Sequence, residues 1–208
     1  MKRIEELAKF IYPYRIIADI GCDHGYLIKV AFDKGLIDKA YAIDNKKGPL
    51  ENAKCNLATY NNIIYSCSDG LSQVGQDTEV VIIAGMGGTS IVKILEKGID
   101  KLQDIKRVIV EANRNTEQVR MFAINDNLKI VSEEIIEEDG IFYEIIVLEK
   151  GLMELNEQEV KFGPLLLKEK SEEFINKWQK QIDIYENKKS KSLDKEIKEI
   201  KEVLKHEN

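Results

Sequence analysis

The chain has 208 residues, room for one full α/β domain and a small appendage but not for two large domains. Hydrophobic residues make up 43% and charged residues 33%, which fits a packed core under a solvated surface, and no apolar run approaches the roughly 20 residues that cross a bilayer. The net charge of −6 excludes a generally basic surface, so a nucleic-acid partner must be met by basic residues gathered on one face.

The opening MKRIEELAKFIYPY lacks the long apolar stretch of a signal peptide and reads as an amphipathic helix, so a cytoplasmic location is expected. Short β-branched runs then alternate with helical patterns. RIIADIG (15–21), AYAID (40–44), IIYSCSD (63–69), VVIIAG (80–85) and RVIVEAN (107–113) read as strands, with helices over 26–34, 49–60, 89–95 and 116–125. This alternation predicts an α/β fold, a mostly parallel sheet with helices on both faces. The unbroken apolar runs suit strands buried on both sides. LKIVSEEIIEEDGIFYEIIVLEKG then reads as two strands joined at Asp139-Gly140, a dipeptide suited to a tight hairpin turn. A parallel sheet ending in an antiparallel hairpin is the Rossmann-like plan of class I methyltransferases. A dehydrogenase sheet would continue with another strand–helix unit.

After Gly151 the β signal vanishes. Phe174, Trp178, Ile182 and Tyr185 recur at helical spacing, as do Leu193, Ile197, Ile200 and Leu204, with the polar NKKSKS between them. Two antiparallel helices packed through these stripes are expected, a short coiled-coil hairpin over 152–208 appended to a main domain over 1–151. One long helix is the alternative.

ADIGCDHGYL carries most of the functional inference. A strand ends at Asp19-Ile20-Gly21, and Gly21 and Gly25 let a ligand approach the backbone. A dinucleotide fingerprint counted from Gly21 needs glycine at 23 and glycine or alanine at 26, where this chain has Asp23 and Tyr26. A carboxylate at 23 would repel a pyrophosphate by about 4 kcal/mol at ~4 Å and an effective dielectric of ~20. S-adenosylmethionine has no phosphate, only an ammonium and a sulfonium, which Asp19 and Asp23 attract. Asp44, followed by Asn45, ends the second strand where an acid can bind both ribose hydroxyls. Asp69-Gly70 ends the third, where the aspartate can accept from an adenine amino group. AGMGG (84–88) ends the fourth, where Gly85, Gly87 and Gly88 leave room for a flat base beside the methyl group. Taken singly, each of these is also an ordinary strand-end turn. His24 reads better as a capping or packing residue than as a base, and Cys22 as a small packing residue.

A metal site is not expected. Cys22, Cys55 and Cys67 form no CxxC pair, and the only histidines are His24 and His206.

These residues resemble the bacterial tRNA (adenine(22)-N(1))-methyltransferases over nearly the whole chain, through ADIGCDHGYL, AGMGGTSIVKIL, EEDGIFYEIIV and FGPLLLKEK. The resemblance implies methylation of adenine N1 in the D-arm region of tRNA by S-adenosylmethionine, and a helical-hairpin tail. It assigns Asp19, Gly21, Asp23 and Asp44 to the cofactor, with Cys22, His24, Gly25 and Asn45 beside them. Asp69 and Gly70 would hold its adenine, and Ala84, Gly85, Met86 and Gly87 would line the methyl-transfer site. Three departures stand out: Cys22 where serine is common, Glu111-Ala112-Asn113 in place of Gln-Pro-Asn, and Asn45-Lys46-Lys47 after the ribose-binding acid.

The fourth-strand loop narrows the chemistry. It offers no cysteine nucleophile for pyrimidine carbon-5 and no Asn/Asp-Pro-Pro-aromatic grip for an exocyclic amine. Adenine N1 has a free lone pair, so positioning is the main task, with Asp23 and Met86 as the catalytic candidates. Tyr26, Gly88 and Asn113 are candidate substrate contacts. Lys188 and Lys189 could grip phosphates, although the tail glutamates allow an ordinary solvated face as well. A monomer is expected. A small-molecule methyltransferase and a non-catalytic cofactor-binding scaffold are the competing readings.

Overall fold

The computed structural model describes residues 2–188 and 190–205, so Lys189 and His206 lie outside the described residues. The opening stretch folds as helix α1 (Lys2–Lys9), which turns Leu7 and Ala8 into the core. Five strands follow, four of them with helices: β1 (Ile16–Ile20) with α2 (Tyr26–Asp33), β2 (Lys39–Asp44) with α3 (Lys47–Asn56), β3 (Ile63–Cys67) with none, β4 (Val80–Met86) with α4 (Gly88–Lys97) and the short α5 (Ile99–Leu102), and β5 (Arg107–Ala112) with α6 (Thr116–Asn125). Strands β6 (Leu128–Glu138) and β7 (Ile141–Lys150) complete a seven-stranded sheet in the order β3-β2-β1-β4-β5-β7-β6. The first five strands are mutually parallel, and β7 runs antiparallel to both of its neighbours. The expected class I methyltransferase sheet is present.

The central strands explain the apolar runs. Ile17, Val80, Ile82 and Ile109 point into one core layer, and Ala18, Val81, Ile83 and Val110 into the other. Alternate residues of a strand face opposite sides, so only a strand covered on both faces can be apolar throughout. β3 departs from this expectation. It is the sheet edge, and its residues are half-buried or exposed. The β6–β7 turn falls at Asp139-Gly140, with φ of 53° and 73°, the left-handed pair of a type I′ hairpin.

Beyond the sheet come α7 (Glu157–Phe162), α8 (Pro164–Glu169), α9 (Glu172–Asn187) and α10 (Asp194–Leu204). α7 and α8 are six residues each, too short to show a periodic stripe. Leu193 closes a 3₁₀ turn before α10 instead of joining its stripe. Lys170 Nζ donates to the Lys205 carbonyl at 3.3 Å, so α10 returns along α9. Phe174, Trp178, Ile182, Ile200 and Val203 pack with Phe162, Leu166 and the β6 residue Ile135 in one apolar cluster. The tail stripes therefore close on the sheet as well as on each other.

A buried ionic network joins the same parts. Arg120 on α6 is fully buried; its Nε donates to Glu133 at 2.8 Å and its Nη2 to Glu144, whose other oxygen takes Lys177 from α9. The remaining Glu133 oxygen accepts the Leu165 N–H at 2.9 Å. Gly163 of FGPLLLKEK lies so close that a Cβ would stand 2.8 Å from Arg120 Nη2, and its φ is 93°. No described helix is long and apolar enough to cross a membrane. Among the described residues no cluster of three or more His, Cys, Asp or Glu could hold a metal.

Candidate active site

β1 is flanked by β2 on one side and β4 on the other, so the chain order reverses there. In an open α/β sheet the crevice at such a reversal, beyond the carboxyl ends of the strands, is where a ligand sits. A cavity of about 510 Å³ opens there, lined by the ends of β1 to β5 and one face of α1. That volume suits a nucleoside-sized ligand.

Asp19, the next-to-last residue of β1, is 4% exposed. Burial and the nearby Asp44 and Asp23 push its carboxyl up to about 7. The turn after β1 is held from β2: Gly21 and Cys22 both donate their N–H groups to the Ile43 carbonyl, at 2.8 and 3.0 Å. Asp44 holds the rest of the loop. Its Oδ2 accepts the Asp23 N–H at 3.1 Å and its Oδ1 the Lys46 N–H at 2.9 Å. Asp23 itself has φ of 47°, unusual for a non-glycine residue, and projects an exposed carboxylate at the cavity mouth. Met86 reaches across from β4 until its Cε would stand 2.5 Å from a Cβ on Gly21, whose φ of 75° favours glycine.

Of the residues expected at the cofactor, Asp19, Gly21, Cys22, Asp23, His24, Asp44 and Asn45 all line the cavity. So do Asp69, Gly70, Ala84, Gly85 and Met86, and so does Tyr26 from the expected substrate set. Gly25 lies behind the wall as the start of α2, packed on Leu57 and Ala53. Gly87, Gly88 and Asn113 are just outside, where α4 begins and β5 ends. Every lining residue falls between positions 3 and 111, so the exposed Lys188 is not brought to the cavity. Lys198 and Lys201 of the tail are engaged by Glu202 and Glu186.

Further details concern His24, Cys22 and Asp69. His24 supplies no side-chain cap to α2; its ring stacks on Tyr26 at 5.6 Å, with Nε2 3.6 Å from Asp23. Cys22 packs in the core, and burial, with Asp19 and Asp44, pushes its thiol up, keeping it protonated. The exposed Asp69 carboxylate meets Lys97 Nζ at 3.0 Å. The sequence reading missed α1 as a wall of the cavity. Arg3, Ile4 and Leu7 line it, and Arg3 Nη1 reaches the buried Glu111 at 2.7 Å. Burial pushes the Glu111 carboxyl up, against the pull of Arg3. The signal for Glu111 was its place at the end of a strand; nothing in the spacing pairs it with Arg3, 108 residues away.

Comparison with known proteins agrees with this geometry. The family described as TrmK, tRNA (adenine(22)-N(1))-methyltransferase, matches residues 17–208. The Bacillus subtilis tRNA (adenine(22)-N(1))-methyltransferase is 31% identical over 99% of this chain and 97% of its own. The Streptococcus pneumoniae protein Sp1610, in complex with S-adenosyl-L-methionine, is 37% identical, with a TM-score of 0.93 over 99% of both chains. M. capricolum TrmK, in complex with S-adenosyl-homocysteine, is 27% identical, with a TM-score of 0.81 over 97% of this chain and 93% of its own. With its sheet, its acid-lined cavity and a match along nearly all its length, this chain belongs to the tRNA (adenine(22)-N(1))-methyltransferase family.

Proposed function

We propose that this protein transfers the methyl group of S-adenosylmethionine to ring nitrogen N1 of an adenine in tRNA, at position 22 in the D-arm region. One observation carries the reading: a buried carboxylate, Asp19, among other acids at the sheet's reversal point, with no cation bound to it among the described residues. A phosphate is repelled there and an ammonium is drawn in. Lys46 and Arg3 are the cations on the wall, and Arg3 is held by Glu111.

S-adenosylmethionine supplies an electrophilic methyl group on a sulfonium. Asp19 and Asp23 hold the ammonium of its amino-acid end. Asp44 keeps lone pairs free for the ribose hydroxyls while two backbone N–H groups fix its orientation. Asp69 and Gly70 border the adenine end. Met86, with Ala84 and Gly85, forms the floor on which donor and acceptor meet, and Gly85, where an added Cβ would meet no atom within 4 Å, leaves room for a base; Gly87 and Gly88, expected to do the same, are instead filled by Arg114 and Asn115. Adenine N1 needs no general base, so catalysis is positioning together with stabilisation of the charge that moves onto the ring. Asp23, exposed at the mouth, supplies that negative charge. Tyr26 and Asn113 flank the entering base, and Lys188 is left for more distant phosphates. One chain contributes the whole cavity wall, so we take the monomer as the working unit, acting in the cytoplasm where tRNA is found.

Incubating unmodified tRNA with enzyme and S-adenosylmethionine, then mapping the product by mass spectrometry, tests the reading. One added methyl on adenine 22 that blocks Watson–Crick pairing is expected. Methylation of cell metabolites but not of tRNA would overturn it. Asp23→Asn should lower turnover at saturating donor by about 10-fold, the size of one lost charge-assisted contact; unchanged turnover removes Asp23 from catalysis.

A further inference from the structure

Four of the five arginines are tied to carboxylates: Arg3 to Glu111, Arg15 to Asp38, Arg107 to Glu149, and Arg120 to Glu133 and Glu144. Arg114 alone has no ion pair among the described residues, and it is exposed. It is also the arginine at the methyl-transfer loop. The loop after β5 is clamped onto AGMGG: the Gly88 N–H donates to the Arg114 carbonyl at 2.9 Å. A Cβ on Gly88 would stand 2.0 Å from the Asn115 carbonyl oxygen, and one on Gly87 2.9 Å from Arg114 Nε. Gly87 thus makes room for the Arg114 side chain, and Gly88 for the backbone of residues 114 and 115. Gly85 and Met86 of the same loop line the donor cavity, whereas Arg114 does not.

We propose that Arg114 grips a backbone phosphate of the tRNA next to the adenine being methylated, and so orients that base against the Gly85–Gly87 loop. This rests on the tRNA adenine-N1 reading above. The charge of the chain and of its cavity creates the physical need. The net charge is −6, and the nearby cavity gathers Asp19, Asp23 and Asp44, all of which repel a phosphate. A guanidinium presents a planar fork of donors matched to two phosphate oxygens, and its charge is permanent. α4 and α6 both begin beside it, so the positive ends of two helices add to its field.

The test compares the full-length protein with Arg114→Gln and Arg114→Lys, measuring kcat, KM for tRNA and KM for S-adenosylmethionine across a salt series. For Arg114→Gln, KM for tRNA should rise about 10-fold or more, as for a lost charged hydrogen bond. The log–log salt slope of tRNA binding should become shallower by about 0.7–0.9, the value of one phosphate. Arg114→Lys should keep the slope and recover part of the affinity, and KM for the donor and the melting temperature should not move. An unchanged slope in Arg114→Gln, with or without lost activity, overturns the phosphate grip while the wild type still methylates tRNA. A wild type that leaves tRNA unmethylated overturns the functional reading and this proposal together.

Discussion

Asp19 and Glu144 are both buried carboxylates, and their surroundings treat them in opposite ways. Burial pushes Glu144 up, but Lys177 and Arg120 more than reverse it and hold the carboxyl at about 2. Burial also pushes Asp19 up, and the neighbouring Asp44 and Asp23 push further, to about 7. Around Arg120 two cations meet two anions, with backbone groups taking further hydrogen bonds. Around Asp19 like charges are gathered. The first cluster is complete within the chain and fastens the tail to the sheet. The second is incomplete, and a cationic ligand completes it. Buried charge that is paired is structural; buried charge left unpaired marks a site.

The comparison can be broken most severely at Arg120. Arg120→Met leaves Glu133 and Glu144 buried without the guanidinium they share, and stability in urea should fall by about 3–5 kcal/mol. Asp44→Ala should act on binding instead. It frees the Asp23 and Lys46 N–H groups and removes the ribose acceptor, so donor affinity by calorimetry should fall about 10–100-fold with little change in the unfolding midpoint. A smaller effect is expected from pH. Asp19 must be ionised to attract an ammonium, so donor affinity should rise from pH 6 to 8 and level off above about 7. A flat profile would remove Asp19 from donor binding. Lys177→Met should be mildest, about 1–2 kcal/mol, because Lys177 is partly exposed at 22% and Arg120 remains. Glu144 contributes stability that is present above the ordinary glutamate range and lost as pH falls towards about 2. In this variant the acid limb between pH 4.5 and 2 should therefore be flatter.

The two clusters differ in how far the sequence reveals them. Asp19, Asp23, Asp44 and Asp69 each follow or end a strand, and strand ends converge in a parallel sheet, so local pattern places them together. The hairpin turn is legible because Asp139 and Gly140 tolerate left-handed backbone. Arg120, Glu133, Glu144 and Lys177 lie on four separate elements, and nothing in their spacing distinguishes them from surface charges on amphipathic segments. Arg3 with Glu111 is hidden for the same reason. β3 reads as a doubly buried strand because its residues are apolar, yet edge position is a property of the whole sheet. The glycines of AGMGG and FGPLLLKEK are visible as a motif, but their reasons, Arg114 and Asn115 against one and Arg120 against the other, are tertiary contacts.

Unfolding of Asp19→Asn and of the parent at pH 7.5, each with and without S-adenosylmethionine, addresses the ligand-completed cluster most directly. Below the ordinary aspartate range the two proteins should match. As pH rises to about 7 the parent alone must ionise a buried acid, so without donor the variant should become more stable by up to about 4 kcal/mol. Saturating donor should then stabilise the parent strongly and the variant little. A variant that is less stable than the parent without donor, yet binds the donor as tightly, would contradict the account.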